Sequence, residues 1–128
     1  KTANVYIANE IERRFGSRHL HATSLHPGII NTSLSQHMPP DAWKGMDHLY
    51  PTMKSIEQGA ATSVWAAVGK EWEHKGGKYL ANCAEAEPYK EGDDKITANG
   101  YGPHAYDVEE AKRLWRDSLK IVSLPDDE

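Results

Sequence analysis

Pro27-Gly28, set directly behind the alternating run Leu20-His21-Ala22-Thr23-Ser24-Leu25, constrains the fold of this chain more than any other feature. Apolar and polar side chains alternating over six residues predict a half-buried strand. Proline brings no N–H to a ladder, and glycine accepts backbone angles closed to other residues. The strand must therefore end there and the chain must turn sharply. With no Cβ at position 28, a planar ring could lie against the turn. A little further on, Thr32 adds a hydroxyl and a backbone donor for a phosphate or an amide. Pro-Gly is equally an ordinary turn dipeptide, and on local grounds both readings stand.

A chain of 128 residues with 38% apolar side chains is sized for one domain with a modest core. Its net charge of −4 lacks the clustered Lys and Arg that neutralise a phosphate backbone, which argues against a nucleic-acid partner. Cys83 is the only cysteine, so no intrachain disulfide can form, and a reducing, cytoplasmic setting is expected. No apolar run approaches the roughly 20 residues that span a bilayer, and nothing resembles a signal peptide.

Along the chain the pattern reads helix, strand, loop, helix, strand, tail helix. Val5, Ala8, Ile11 and Phe15 recur at three- and four-residue steps, predicting an amphipathic helix from Lys1 to Phe15 that Gly16 caps. That helix opens with no Ser, Thr, Asp or Asn ahead of it, as though an upstream part were missing. Residues 33–53 hold three prolines and no clean period, which predicts a long loop with one short helical turn. Their apolar Trp43, Met46, Leu49 and Met53 suit substrate contact. Ser55 and Gln58 form a capping-box pair at the head of an Ala-rich helix running to about Val68 and ending at Gly69. Gly76-Gly77 introduces a short strand, Lys78–Ala81. After a polar loop, Asp107 caps a last helix carrying Val108, Ala111, Leu114, Trp115, Leu119 and Val122. Helix and strand in this rhythm imply parallel strands joined by right-handed crossovers, with ligands lying beyond the strands' carboxyl ends. Two parallel strands are too few for a sheet buried on both faces, so the chain reads as the second half of something larger.

Lys1 at the head of its helix, followed by Pro27-Gly28-Ile29-Ile30-Asn31-Thr32 after the next strand, resembles the C-terminal half of the short-chain dehydrogenase/reductases. In that family a Tyr-x-x-x-Lys motif opens this helix and a Pro-Gly-x-Ile/Val-x-Thr turn follows. Lys1, Pro27, Gly28, Ile30 and Thr32 match those patterns. Thr2-Ala3-Asn4, Ser24-Leu25-His26-Pro27-Gly28, Gln58-Gly59-Ala60-Ala61, Gly77-Lys78-Tyr79-Leu80 and Glu110–Trp115 are similar to the retinol-dehydrogenase and WW-domain-oxidoreductase branch. The resemblance implies an α/β fold, the C-terminal part of a Rossmann-like doubly wound parallel sheet, with residues 1–128 a single partial domain that lacks its dinucleotide-binding half.

It also implies chemistry: interconversion of a carbonyl and an alcohol by hydride transfer with NAD or NADP, both of which stay open. Lys1 would be the catalytic lysine, bonding the ribose hydroxyls and favouring a tyrosinate by its charge. Pro27 and Gly28 would lie against the nicotinamide, with Ile30 and Thr32 at its carboxamide or the pyrophosphate, and Trp43, Met46 and Leu49 would face substrate. The Gly-rich phosphate turn, the catalytic serine and the motif tyrosine are not in this sequence. The 128 residues alone are therefore expected to bind no cofactor and to be inactive.

Other groupings read more plainly. His19 and His21 share a strand face and His26 follows, but no carboxylate or cysteine joins them locally, so no metal is expected. Ser24 and His26 lack an orienting acid for nucleophilic chemistry. Tyr101 and Tyr106 read as a packed turn, and Trp65, Trp72 and Trp115 as core or interface. Two functions follow: part of a nicotinamide-dependent oxidoreductase acting on a small carbonyl or alcohol, or a non-catalytic fragment that associates with itself or another protein. The first helix, an interface element in the family, makes a homo-oligomer the expected assembly in either case.

Overall fold

The apolar stripe of the first helix decides what it packs on. In the computed structural model, which describes residues 1–37, 39, 41, 44–94 and 97–126, α1 runs over Thr2–Phe15 and lies chiefly against α3, Val108–Ile121. Ala8 and Ala111 are both buried, and Phe15 meets Trp115 with ring centroids 6.0 Å apart. Tyr6 donates to the His104 carbonyl at 3.0 Å and Asn9 to the Ala105 carbonyl at 3.1 Å, tying α1 to the 3-10 turn Pro103–Tyr106 ahead of α3. Asp107 caps α3 as expected, its side chain accepting from the Glu110 N–H at 3.0 Å.

α1 ends at Phe15 with Gly16 as its C-cap, as expected, but the Gly16 backbone stays right-handed helical (φ −57°) and the chain makes one further 3-10 turn, Gly16–Arg18. The left-handed residue is His19, at φ 62°. The strand that follows is also shorter than the alternation suggests. β1 is Ser24–His26, because its partner β2, Tyr79–Ala81, is itself only three residues long. The two pair in parallel, Leu25 opposite Leu80. Pro27 then ends the ladder.

The all-parallel expectation fails at the next strand. β3, Ala84–Glu85, pairs antiparallel with β2 after a tight turn through Asn82 and Cys83, both at positive φ, so the sheet is mixed, in the order β1-β2-β3. What stands is an α/β unit with a three-stranded sheet and helices. The 33–53 stretch holds the short 3-10 turns Ser33–His37 and Asp47–Thr52 and rejoins the sheet side through a bridge between Ile30 and Lys54.

α2, Ile56–Val68, begins with the full capping box. The Ser55 hydroxyl accepts from Gln58 N–H at 3.2 Å and the Gln58 side chain accepts from Ser55 N–H at 2.9 Å. It ends at Gly69. Gly59, buried in α2, allows Ile30 to approach so closely that a Cβ there would collide with the Ile30 side chain. Trp72 is buried and meets Trp65 edge-on at 5.1 Å, as the core reading of these tryptophans expects. Among the described residues no helix is long and apolar enough to cross a membrane.

Candidate functional site

The turn at the carboxyl end of β1 is built as its residues dictate. Gly28 sits at φ +94°, and a Cβ there would run into the Lys54 side chain at 2.8 Å. The Lys54 N–H donates to the Ile29 carbonyl at 2.8 Å, and its ammonium reaches Asn82. A pocket of about 220 Å³ opens between His26, Gly28, Lys54 and Asn82.

A larger cavity of about 770 Å³ lies along β1, with His26 bordering both it and the smaller pocket. Lys1 and Val5 from α1 border it, with Ser24 and Pro27 from β1 and its turn and Tyr79 and Tyr101 across from them. Lys1 is exposed at the head of α1, and Thr32 accepts from the Leu34 N–H at 3.3 Å. The structure thus brings Lys1 and Pro27 to one cavity, puts Gly28 at the neighbouring pocket, and turns the Ile30 side chain toward α2. Of the residues expected at substrate, Leu49 is 2% exposed and Met46 half-buried; both stand outside the residues that line this cavity. Trp43 lies outside the described residues.

Tyrosines supply what the sequence reading missed. Tyr79 and Tyr101 stand edge-on at 6.5 Å, and Tyr101 and Tyr106 at 4.8 Å. The Tyr106 hydroxyl accepts from the Tyr79 N–H at 3.0 Å, so the Tyr101–Tyr106 turn is packed as expected and also braces the start of β2. Burial raises the phenol pKa of both Tyr79 and Tyr106, which favours their neutral form. The only sequence signal for this wall was the Gly100-Tyr101-Gly102 run. Its joining to Tyr79 is a long-range event that no local pattern reports.

The Ser24 hydroxyl is buried with no hydrogen-bond partner, so it forms no pair with His26. Burial, and secondarily the Lys54 charge, lowers the His26 pKa below the usual 6.5, so folding favours the neutral imidazole. The sign follows from linkage: the unfolded chain binds this proton more readily, so the His26 contribution is intact above pH 6.5 and is lost as pH falls through the lower folded value. A ring-proton NMR titration should find His26 with the acid-shifted midpoint. A midpoint at or above 6.5 would contradict the half-buried setting beside Lys54.

No model of a known protein family matches the chain. Curated proteins do. The short-chain dehydrogenase/reductase prx1 of Penicillium roqueforti is 49% identical over 127 residues, covering 97% of this chain and 37% of that protein. The WW domain-containing oxidoreductase of Pongo abelii is 31% identical over 95% of this chain and 26% of its own length. Retinol dehydrogenase 13 of Mus musculus is 30% identical over 97% of this chain and 35% of its own length. The chain thus spans between a quarter and two-fifths of each of these relatives.

Proposed function

Because the chain's homologues over 97% of its length are short-chain dehydrogenase/reductases, we propose that it forms the C-terminal portion of an NAD(P)-dependent oxidoreductase that interconverts a carbonyl and an alcohol. The observation that carries this reading is the meeting of Lys1 and Pro27 at one cavity that runs along β1 to the turn at its carboxyl end, the end at which ligands of parallel α/β sheets bind. Residues 1–128 would be one partial domain, and the dinucleotide-binding half would lie outside them.

The residues present fit the nicotinamide and ribose end of such a cofactor. The turn at Gly28 carries no Cβ, Lys1 offers an exposed ammonium, and Lys54 adds a second cation at the neighbouring pocket. When bound, the cofactor supplies or accepts the hydride. Lys1 would hold the ribose hydroxyls and, by its charge, favour the ionised form of an acid beside it. Pro27 and Gly28 would lie against the nicotinamide ring. The Ile30 backbone and Thr32 would meet the carboxamide or a phosphate. In this reading Met46, Leu49 and Trp43 belong to a segment that covers substrate. The buried position of Leu49 supports anchoring of that segment rather than direct contact.

The oxidoreductase names of the relatives do not favour a purely associating fragment. Exposed Ile56, Val64 and Val68 on α2 support burial against further protein, a second copy included. The single exposed Cys83, free of any disulfide, supports a reducing compartment such as the cytoplasm.

The test joins intact mass with fluorescence titration of NADH and NADPH. At its natural length the protein should exceed 14.3 kDa and bind one of the two saturably, and Lys1→Met should weaken that binding about tenfold, the loss of one charge-assisted hydrogen bond. A natural mass of 14.3 kDa with no saturable binding would overturn the reading.

A further inference from the structure

Three histidines from two distant segments converge outside the residues that line the Lys1 cavity. His19, His21 and His74 each present a ligand atom, and these atoms all lie within 4.8 Å of one another. The sequence pointed to His19, His21 and His26 and found no carboxylate beside them. The structure replaces His26 with His74 and supplies the carboxylate from α1. Glu12 meets His21 Nδ1 at 3.0 and 3.1 Å through its two oxygens and also accepts from the Ala22 N–H at 3.4 Å.

We propose that His19, His21 and His74 form a binding site for a first-row transition-metal dication, with Glu12 as the outer carboxylate that orients His21. With Nδ1 of His21 engaged by Glu12, its Nε2 is left to ligate. This is the carboxylate–histidine–metal arrangement in which the second-layer carboxylate sets the tautomer and raises ligand basicity. Three imidazoles suit zinc, copper, cobalt or nickel rather than calcium or magnesium, and they leave a fourth tetrahedral position for water.

The backbone around the site is built to hold it. His19 stands at φ 62°, an unusual conformation for a residue other than glycine, pinned by its N–H on the Gly16 carbonyl at 3.0 Å. The segment after His74 is pressed onto the one around His21. The Gly77 N–H donates to the Ala22 carbonyl at 2.7 Å, and a Cβ at Gly76 would meet that same oxygen at 2.5 Å and collide with the Glu12 carboxylate. Gly76 thus permits the approach that brings His74 to the pair. The cations next to these histidines in the chain are engaged by aromatic rings, Lys75 over Trp72 at 4.5 Å and Arg18 over Phe15 at 5.4 Å. A bound ion would add a further link between the α1–β1 connection and the α2–β2 connection, beside the hydrogen bond from Gly77 to Ala22.

The test is zinc titration of the chelator-treated protein, followed by calorimetry and by thermal melts. One zinc per chain is expected, with a rise in Tm on zinc addition. His19→Ala and His74→Ala should each weaken binding at least tenfold and abolish the Tm rise, and Glu12→Gln should weaken it about tenfold. His37→Ala, outside the cluster, should match the parent. His19 and His74 are exposed, so these variants keep the fold. Absence of zinc binding by the parent protein, or binding that His19→Ala and His74→Ala leave unchanged, would overturn the proposal.

Discussion

Glu10→Ala should destabilise the protein by about 3–5 kcal/mol, a large part of the 5–15 kcal/mol that holds a typical domain together. Glu10 is the most deeply buried charged side chain described, at 1% exposure. Its carboxylate accepts from Arg13 at 2.5 and 2.9 Å and from Arg14 at 2.7 Å. Arg13 is half open to water, and its bond alone would be worth no more than about 1 kcal/mol. Arg14 is different. Its side chain is 7% exposed, lies over Trp115 at 5.2 Å, and reaches Asp126 at 2.6 Å. Truncating Glu10 leaves that guanidinium with half its compensation in a dry setting between α1 and α3. The cost is that of the stranded charge rather than the worth of the pair.

The same site gives a pH signature. The Arg13 hydrogen bond, helped by Arg14, holds the Glu10 carboxyl below its usual 4.5 against the opposing effect of burial. A depressed carboxylate contributes stability that is complete above pH 4.5 and disappears as pH falls through the lower folded value. Urea unfolding at pH 7 and pH 3 measures both effects, and the deficit of the Ala variant should shrink at the lower pH. A pH 7 loss below about 1 kcal/mol would show that Arg14 finds adequate company without Glu10.

Leu80→Ala should cost about 2–5 kcal/mol, the range for emptying a packed apolar site. Leu80 is wholly buried at the centre of the sheet, opposite Leu25 on β1 and Glu85 on β3. The backbone that carries it also carries Tyr79, which walls the large cavity and is pinned by Tyr106. Chemical denaturation should therefore report the lost stability, and tyrosine fluorescence should report loosening around the cavity before global unfolding. A variant within 1 kcal/mol of the parent would mean that the sheet can close over the missing methyl groups.

How legible these features were depends on how far apart the interacting residues lie in the chain. Ser55 with Gln58, and Asp107 with Glu110, act across three residues, so both helix starts could be read directly. Pro27 ends β1 by its own covalent structure, and Gly28 adopts the positive φ that its lack of a Cβ permits. Gly16 marked the end of α1, but the extra 3-10 turn Gly16–Arg18 and the left-handed His19 carried no sequence signal. The alternation from Leu20 predicted six strand residues. The partner strand offers only three, and a ladder is no longer than its shorter member.

The sequence by itself determined the helix positions, their caps, the sharp turn after β1 and, through Lys1 and the Pro27–Thr32 turn, the resemblance to short-chain dehydrogenase/reductases, one of which is 49% identical over 97% of the chain. Only the tertiary structure decided the antiparallel third strand, the tyrosine wall and the approach of His74 to His19 and His21. The physical reason is one of range. Capping, chain stiffness and hydrophobic period act through neighbours along the chain, whereas a mixed sheet, a cavity wall and a three-histidine cluster exist only once packing has brought remote segments within a few ångströms.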